Sequence, residues 1–331
     1  MGQAATLKKI SLQLNLSIST VSRALSNHPD ISEQTKRKVK ELAALMDYEP
    51  NNYAVNLRRN KSRVFGLVVS AISNFFYDSF IAAVEEEARK HGYTLMILQS
   101  GDDPVLEAEN LKLCRHNRVD GIFVSLAPDS ISADLFARFR ESSIPLIFFD
   151  KVNDSGLYDT VCMADEEAAL TAAHTIINYK KKNVLALFGN PTLSITKKRK
   201  ETFLELLSST QPAIHAEIRH CLNSEQARQA VTDALAGKHA FDNVFCMSDE
   251  LLIGAMKAIH HSALSVPGDI SVLAISNGFI PGLFKPEITH IETNGYELGK
   301  LAIKRMLENM ESKSAPKSII LPTRLISGGS M

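Results

Sequence analysis

Apolar positions recur along this chain in two rhythms, and the change from one to the other divides it. Through the first fifty residues the spacing is helical: Leu7, Ile10 and Leu14, then Val21, Ala24 and Leu25, then Val39, Leu42, Ala43 and Met46. Each set makes one buried stripe on a short helix. Thr6, Ser17 and Ser32 stand at the N-cap positions, where a side-chain oxygen accepts an otherwise unpaired backbone N–H. Asn15 lies at the sharp turn between the first two helices, because Asn tolerates the left-handed conformation. The third helix is predicted from Glu33 to about Asp47. The following segment, Asn52 to Ser62, is short and basic and has too few apolar residues to fold alone.

From Arg63 onward, β-branched runs alternate with amphipathic helical stretches. Strands are predicted at Val64–Val69, Thr94–Leu98, Gly121–Val124 and Pro145–Phe149, with helices at Asp78–Lys90 (ended by Gly92), Pro104–Arg115 and Ala133–Arg140 between them. A second series runs through strands Tyr158–Val161, Asn183–Phe188, Ile214–His220, Asn243–Cys246 and Ile270–Ile275. Its helices are Glu166–Asn178, Thr196–Ser208, Gln226–Ala236 and Asp249–Ser262. Such alternation implies parallel sheets covered by helices on both faces. Two series of similar size predict two lobes with a cleft between them. Asp150–Ser155 and Ser276–Ile280 are the expected crossovers, and helix Tyr296–Met310 and strand Ser318–Leu321 close the chain.

Charge sharpens the division. The 331 residues carry 37 basic and 37 acidic side chains, but residues 1–62 hold ten and five, leaving 27 and 32 for the rest. A basic head on an acidic body is the electrostatic footprint of a nucleic-acid-binding module attached to something else. No apolar run approaches the roughly 20 residues that span a bilayer, and the N-terminus lacks an apolar signal core, so a cytoplasmic protein without a membrane partner is expected. Cys114, Cys162, Cys221 and Cys246 are widely spaced and read as structural thiols in a reducing compartment. There is no His-Glu-x-x-His pattern, His260-His261 reads as a helix-surface pair, and no metal or cofactor is called for. Gly189-Asn190-Pro191 follows a strand, but lacks the Lys-Ser/Thr of a phosphate loop. No nucleophile elbow, Gly-rich dinucleotide turn or carboxylate pair stands where an enzyme needs it, so catalysis is not expected. A secreted solute-binding protein is disfavoured by the absent signal and by the basic head.

The candidate chemistry of the head lies on its second helix. With Val21, Ala24 and Leu25 inward, Ile18, Ser19, Ser22 and Arg23 face out, as on the recognition helix of a helix-turn-helix. The third helix is expected to show Lys36, Arg37, Lys38 and Lys40 on its outer face. Four ordered motifs then stand at family spacing: Ser-x-x-Thr-Val-Ser-Arg-x-Leu (Ser17 to Leu25), Ile-Ser-x-x-Thr-Lys (Ile31 to Lys36), Tyr-x-Pro-Asn (Tyr48 to Asn51) and Ala-x-x-Leu-Arg (Ala54 to Arg58). Together they closely resemble the lactose-repressor/galactose-repressor (LacI/GalR) family of bacterial transcription regulators. The likeness extends through the body, at Ile72–Tyr77 (with Phe75 where Pro is usual), Val119–Ile122, Pro145–Asp150, Ser248–Glu250 with Gly254-Ala255, Val266–Val272, and Thr289 with Leu298-Gly299.

The resemblance implies an all-α helix-turn-helix head (residues 1–49), a hinge helix (50–62) and an α/β body (63–331). The body is expected to be two parallel-sheet lobes of periplasmic-binding-protein type with an effector cleft between them. The N-lobe is expected at about 63–150 and 281–310, the C-lobe at about 151–280 and 311–331. It implies a homodimer on pseudo-palindromic double-stranded operator DNA; without a leucine-heptad tail, a dimer is expected rather than a tetramer. DNA contacts are expected from Thr6, Ser17, Ile18, Ser19, Thr20, Ser22, Arg23 and Asn27, and from the hinge residues Asn51, Tyr53, Ala54, Leu57 and Arg58. Ile18 and Ser19 would meet base edges and Arg23 a guanine. Asn52–Arg59 would fold on DNA, with Leu57 wedged into the minor groove and Arg58, Arg59 and Lys61 on phosphates. The family's cleft binds a small-molecule effector, commonly a sugar or nucleobase-like compound; a sugar or sugar derivative is expected here, at Phe76, Tyr77, Ser125, Asp150, Arg199, Asp249 and Asn277. Two departures bear on it: Thr202 replaces the Gly after the cleft arginine, and Ile275-Ser276-Asn277 replaces the family's Phe-Asp-Asp.

Overall fold

The computed structural model describes residues 6–48, 61–152, 155–210, 213–237, 240–312 and 314–331. The chain divides at Ser62–Arg63 into two compact units.

The head contains α1 (Leu7–Leu14), α2 (Ile18–Leu25) and α3 (Glu33–Leu45). Their caps are those the sequence predicts: Thr6 accepts from Lys9 N, Ser17 from Thr20 N and Ser32 from Thr35 N. Asn15 sits at φ 51°, the left-handed conformation that ends α1. Ile10, Val21, Ala24, Val39 and Ala43 form the small core. One expectation fails on α3. Lys36 is buried, not on the outer face: its stem lies in the core and its ammonium reaches Glu33 at 2.7 Å. Lysine does this readily because its long aliphatic stem can be buried while its head stays near a carboxylate.

The body alternates β1 (Val64–Val69), α4 (Phe75–Lys90), β2 (Thr94–Gln99), α5 (Pro104–His116), β3 (Gly121–Val124), α6 (Ala133–Glu141), β4 (Leu146–Phe149) and β5 (Asp159–Met163). It continues with α7 (Asp165–Asn178), β6 (Asn183–Phe188), α8 (Ser194–Ser208), β7 (His215–His220), α9 (Ser224–Ala236), β8 (Asn243–Cys246), α10 (Asp249–His261) and β9 (Ser271–Ser276). A short 3-10 turn (Pro281–Leu283), β10 (Thr289–Glu292), α11 (Gly295–Glu311), β11 (Ser318–Leu321) and β12 (Arg324–Ile326) complete it. Two six-stranded sheets result, ordered β11-β5-β4-β3-β1-β2 and β12-β10-β9-β8-β6-β7. Every described pairing is parallel except β12 on β10. Central strands such as β3, β4, β8 and β9 are buried along their whole length, as parallel strands under two helical layers must be.

Lobe membership departs from expectation. Strands 159–163 and 318–321, expected in the second lobe, pair within the first sheet, and 289–292, within a segment expected in the first lobe, pairs with β9 in the second. The chain therefore passes between sheets three times: after β5, between β10 and α11, and between β11 and β12. The expected crossovers at 150–155 and 276–280 instead link neighbours of one sheet. Strand–helix alternation shows that strands exist but not which sheet accepts them.

Candidate functional site

On α2 the cap and the exposed face share side chains. Ser17 Oγ accepts from Thr20 N at 3.0 Å and lies 2.7 Å from Ser19 Oγ and 2.8 Å from Thr20 Oγ1. Val21 and Ala24 are fully buried, which turns Ile18, Ser19 and Arg23 to solvent. Asn27 follows α2 in a left-handed conformation, and its Oδ1 accepts from Lys40 Nζ of α3 at 2.6 Å. Thr6 and Ser17 are exposed while Thr20 and Ser22 are half-buried. The expected hinge contacts Asn51, Tyr53, Ala54, Leu57 and Arg58 lie outside the described residues, as does Arg59.

In the body, the segments leaving the carboxyl ends of β1, β2, β4, β6, β7, β8 and β9 line a pocket of about 670 Å³ between the two sheets. Ligands collect at this end of parallel sheets because each strand there hands over to a loop or helix start that presents side chains and backbone N–H groups. Of the expected effector residues, Phe76, Tyr77, Asp150, Arg199, Asp249 and Asn277 line it. Ser125 does not; it stands behind the wall, 2.8 Å from Tyr77 Oη.

The side chains are largely held by partners. Phe76 and Tyr77 lie in the first turn of α4, whose Asn74 cap starts the helix three residues before the expected Asp78. Tyr77 donates to Asp150 Oδ2 at 2.6 Å, and its phenol is pushed well above its ordinary pKa, first by burial and then by the Asp150 charge. Asp150 itself sits at φ 58°, a left-handed conformation that few non-glycine residues adopt and that Asp tolerates comparatively well. Buried Arg199 donates through Nε and Nη2 to Asp165 Oδ1, at 2.9 and 2.7 Å, and through Nη1 to the Met247 carbonyl at 2.8 Å. These bonds use three of its five N–H groups. Burial raises the Asp165 carboxyl, against the opposing pull of Arg199.

Asp249 is in the first turn of α10, and its carboxylate accepts from Ser276 Oγ and, at 2.9 Å, from Asn277 N at the end of β9. Burial raises its pKa, opposed by those two hydrogen bonds. Asn277 lines the pocket, yet its side-chain amide is engaged by protein groups on both its nitrogen and its oxygen.

Several pocket groups were not expected from sequence. Lys151, buried after β4, donates to Asp102 Oδ1 at 2.6 Å, and Asp102 is also left-handed, at φ 60°. Glu250 of the second lobe feels both charges, and burial raises its carboxyl. Thr196, one turn before Arg199, is fully buried, and its hydroxyl has no partner among the described residues. Asp102, Lys151 and Glu250 each stand within four residues after a parallel strand, a placement that could have marked them.

Both units of the chain match known families. Residues 6–51 match the profile of bacterial regulatory proteins of the lacI family, and residues 62–328 that of periplasmic binding proteins and the sugar binding domain of the LacI family. The HTH-type transcriptional regulator RegA of Clostridium acetobutylicum is 26% identical over 323 residues, covering 96% of this chain and 95% of that one. The ribose operon repressor of Haemophilus influenzae is 26% identical over 310 residues, covering 93% and 92%. The crystal structure of the lac repressor dimer bound to operator and the anti-inducer ONPF superposes with a TM-score of 0.88 at 19% identity, covering 99% of each chain. A LacI family regulator from Enterococcus faecium with bound ribose superposes at 0.73 and 20% identity, covering 81% of this chain and 98% of that one. This chain belongs to the LacI family of bacterial transcription regulators, joining a helix-turn-helix DNA-binding head to a periplasmic-binding-protein-like body.

Proposed function

We propose that this chain is a cytoplasmic repressor that binds pseudo-palindromic operator DNA as a homodimer and is controlled by a sugar or sugar derivative held in the interlobe pocket. The observation that carries the reading is the pocket itself: a chamber of mixed polar and apolar lining at the carboxyl ends of strands from both sheets, with carboxylates, a buried arginine and first-turn aromatics among its walls. Bidentate and amide-bearing side chains beside aromatic platforms suit hydroxyl-rich ligands. Arg199 offers two remaining N–H groups, Asp150 and Asp249 offer acceptors, and Phe76 offers a face. Two relatives bear on the ligand: one is named a ribose operon repressor, the other was crystallised with ribose.

The domain plan is residues 1–49 for the head, 50–62 for a hinge helix formed on DNA, and 63–331 for effector binding and dimerisation. Ile18 and Ser19 meet base edges and Arg23 a guanine, with Thr6, Ser17, Thr20, Ser22 and Asn27 positioning α2. Asn51, Tyr53, Ala54, Leu57 and Arg58 act from the hinge, Leu57 as a minor-groove wedge. The edge strand β2 and α5 beside it expose Ile97, Val105, Leu106 and Leu113, an apolar face suited to a second copy. Effector and operator are then linked by a coupling of about 1–3 kcal/mol.

The test is thermal unfolding of the protein with a panel of sugars, sugar phosphates and nucleobases, followed by operator titration with any hit. A sugar at about 100 times its Kd should add roughly 2.7 kcal/mol of stability and change operator affinity. Stabilisation by nucleobases alone sinks the sugar reading. Separately, Leu57→Ala should weaken operator binding far more than effector binding; equal losses refute the wedge.

A further inference from the structure

The structure assigns Asn277 a role apart from ligand contact: it is the clasp that holds the two lobes of the body together. Asn277 leaves the end of β9 in the second sheet, and its backbone N–H is anchored in its own lobe on Asp249 Oδ2 at 2.9 Å. Its side chain crosses to the first lobe. Nδ2 donates to the Phe75 carbonyl at 3.3 Å and to Ser79 Oγ at 3.1 Å, both on the first turns of α4. Oδ1 accepts from Gly295 N at 2.9 Å, at the start of α11. A primary amide has two N–H donors on one nitrogen and a carbonyl acceptor, and this geometry engages all three at once.

The surroundings are cut to fit. A Cβ on Gly295 would lie 2.3 Å from Ser79 Oγ and 2.4 Å from the Phe76 carbonyl, so only glycine lets α11 start this close to α4. The same spot adjoins the crossover between β10 and α11, where Thr293 N and Oγ1 donate to the Ser276 carbonyl at 2.8 and 3.1 Å. Rotating the lobes apart pulls the end of β9 away from α4 and breaks the amide's bonds. An aspartate at 277 accepts from Gly295 N and Ser79 but has no donor for the Phe75 carbonyl, so a carboxylate there gives a looser joint. The amide is thus a neutral cross-lobe fastener, and a ligand that closes the cleft meets lobes already joined.

The clasp depends on neither effector identity nor DNA binding, so its test needs no ligand and can fail independently of the proposed function. Hydrogen–deuterium exchange by mass spectrometry is compared for the full-length protein, Asn277→Ala, Asn277→Asp and Gly295→Ala. The expected result is exchange about tenfold faster in the pocket segments 70–76, 189–196 and 247–250, with the core strands β1 and β6 unchanged. Ser79→Ala, which removes one acceptor of the amide together with the hydroxyl's own bond to the Phe76 carbonyl within α4, should show a smaller rise in the same segments and carries the test if a larger change prevents folding. Unchanged pocket segments overturn the clasp. So does an equal rise in β1 and β6, which marks general destabilisation.

Discussion

Tyr77 and Asn277 show what a single residue contributes once its neighbours are known. Tyr77 stands among the expected effector residues; its ring packs edge-on to Phe149 and its hydroxyl ties Ser125 to Asp150, so much of its work is to hold an acidic acceptor in place. Tyr77→Phe should cost about 1–3 kcal/mol in denaturant unfolding at neutral pH, because it leaves a carboxylate oxygen without its donor. The pH dependence has a definite sign. An unfolded tyrosine ionises near 10, whereas in the folded protein burial and the Asp150 charge keep this phenol protonated. Its contribution is therefore complete below that pH and is lost as pH rises further; Tyr77→Phe should flatten that part of the alkaline profile. The type of residue at each of these positions was legible in sequence. Its engagement was not, because Ser125 and Asp150 are 48 and 73 residues away from Tyr77, and Asn277 meets Ser79 across 198.

At the scale of elements, local rules served well where the signal is local. The caps at Thr6, Ser17 and Ser32 and the left-handed Asn15 follow from short-range hydrogen bonding, and the structure has them all. Ser17→Ala should destabilise α2 by about 1 kcal/mol, seen as faster amide exchange within 18–25 and as weaker operator binding. Helix-on-helix packing is less visible. Gly254 sits where a Cβ would lie 2.1 Å from the Ser224 carbonyl and 2.8 Å from Ala227 Cβ, so it lets α10 approach α9 closely. Gly254→Ala should cost about 1–3 kcal/mol in the unfolding of the body, since backbone must move to admit the methyl. The strands Thr289–Glu292 and Arg324–Ile326 were not anticipated. They are four and three residues long, too short to declare a period, and β12 is largely exposed at a sheet edge.

For the whole molecule, the separation of charge sets the expected behaviour on DNA. If the basic head neutralises phosphates, log affinity for operator should fall linearly with log salt, and Arg23→Ala should cost about 1–3 kcal/mol and relax preference at one base position; loss of affinity with unchanged base preference would move Arg23 from base reading to backbone contact. The helix-turn-helix head, the alternating α/β body and the family are legible in the order of residues, because hydrophobic period, caps and motif spacing are properties of near neighbours in the chain. The same order placed Asp150, Arg199 and Asp249 in one candidate site. That β5 and β11 belong to the first sheet and β10 to the second, that the chain crosses three times, that Lys36 is buried and that Asn277 reaches across the cleft emerge with the assembled fold. Those outcomes depend on which surfaces meet, and residues far apart in the chain acquire a common environment only when the sheets have assembled.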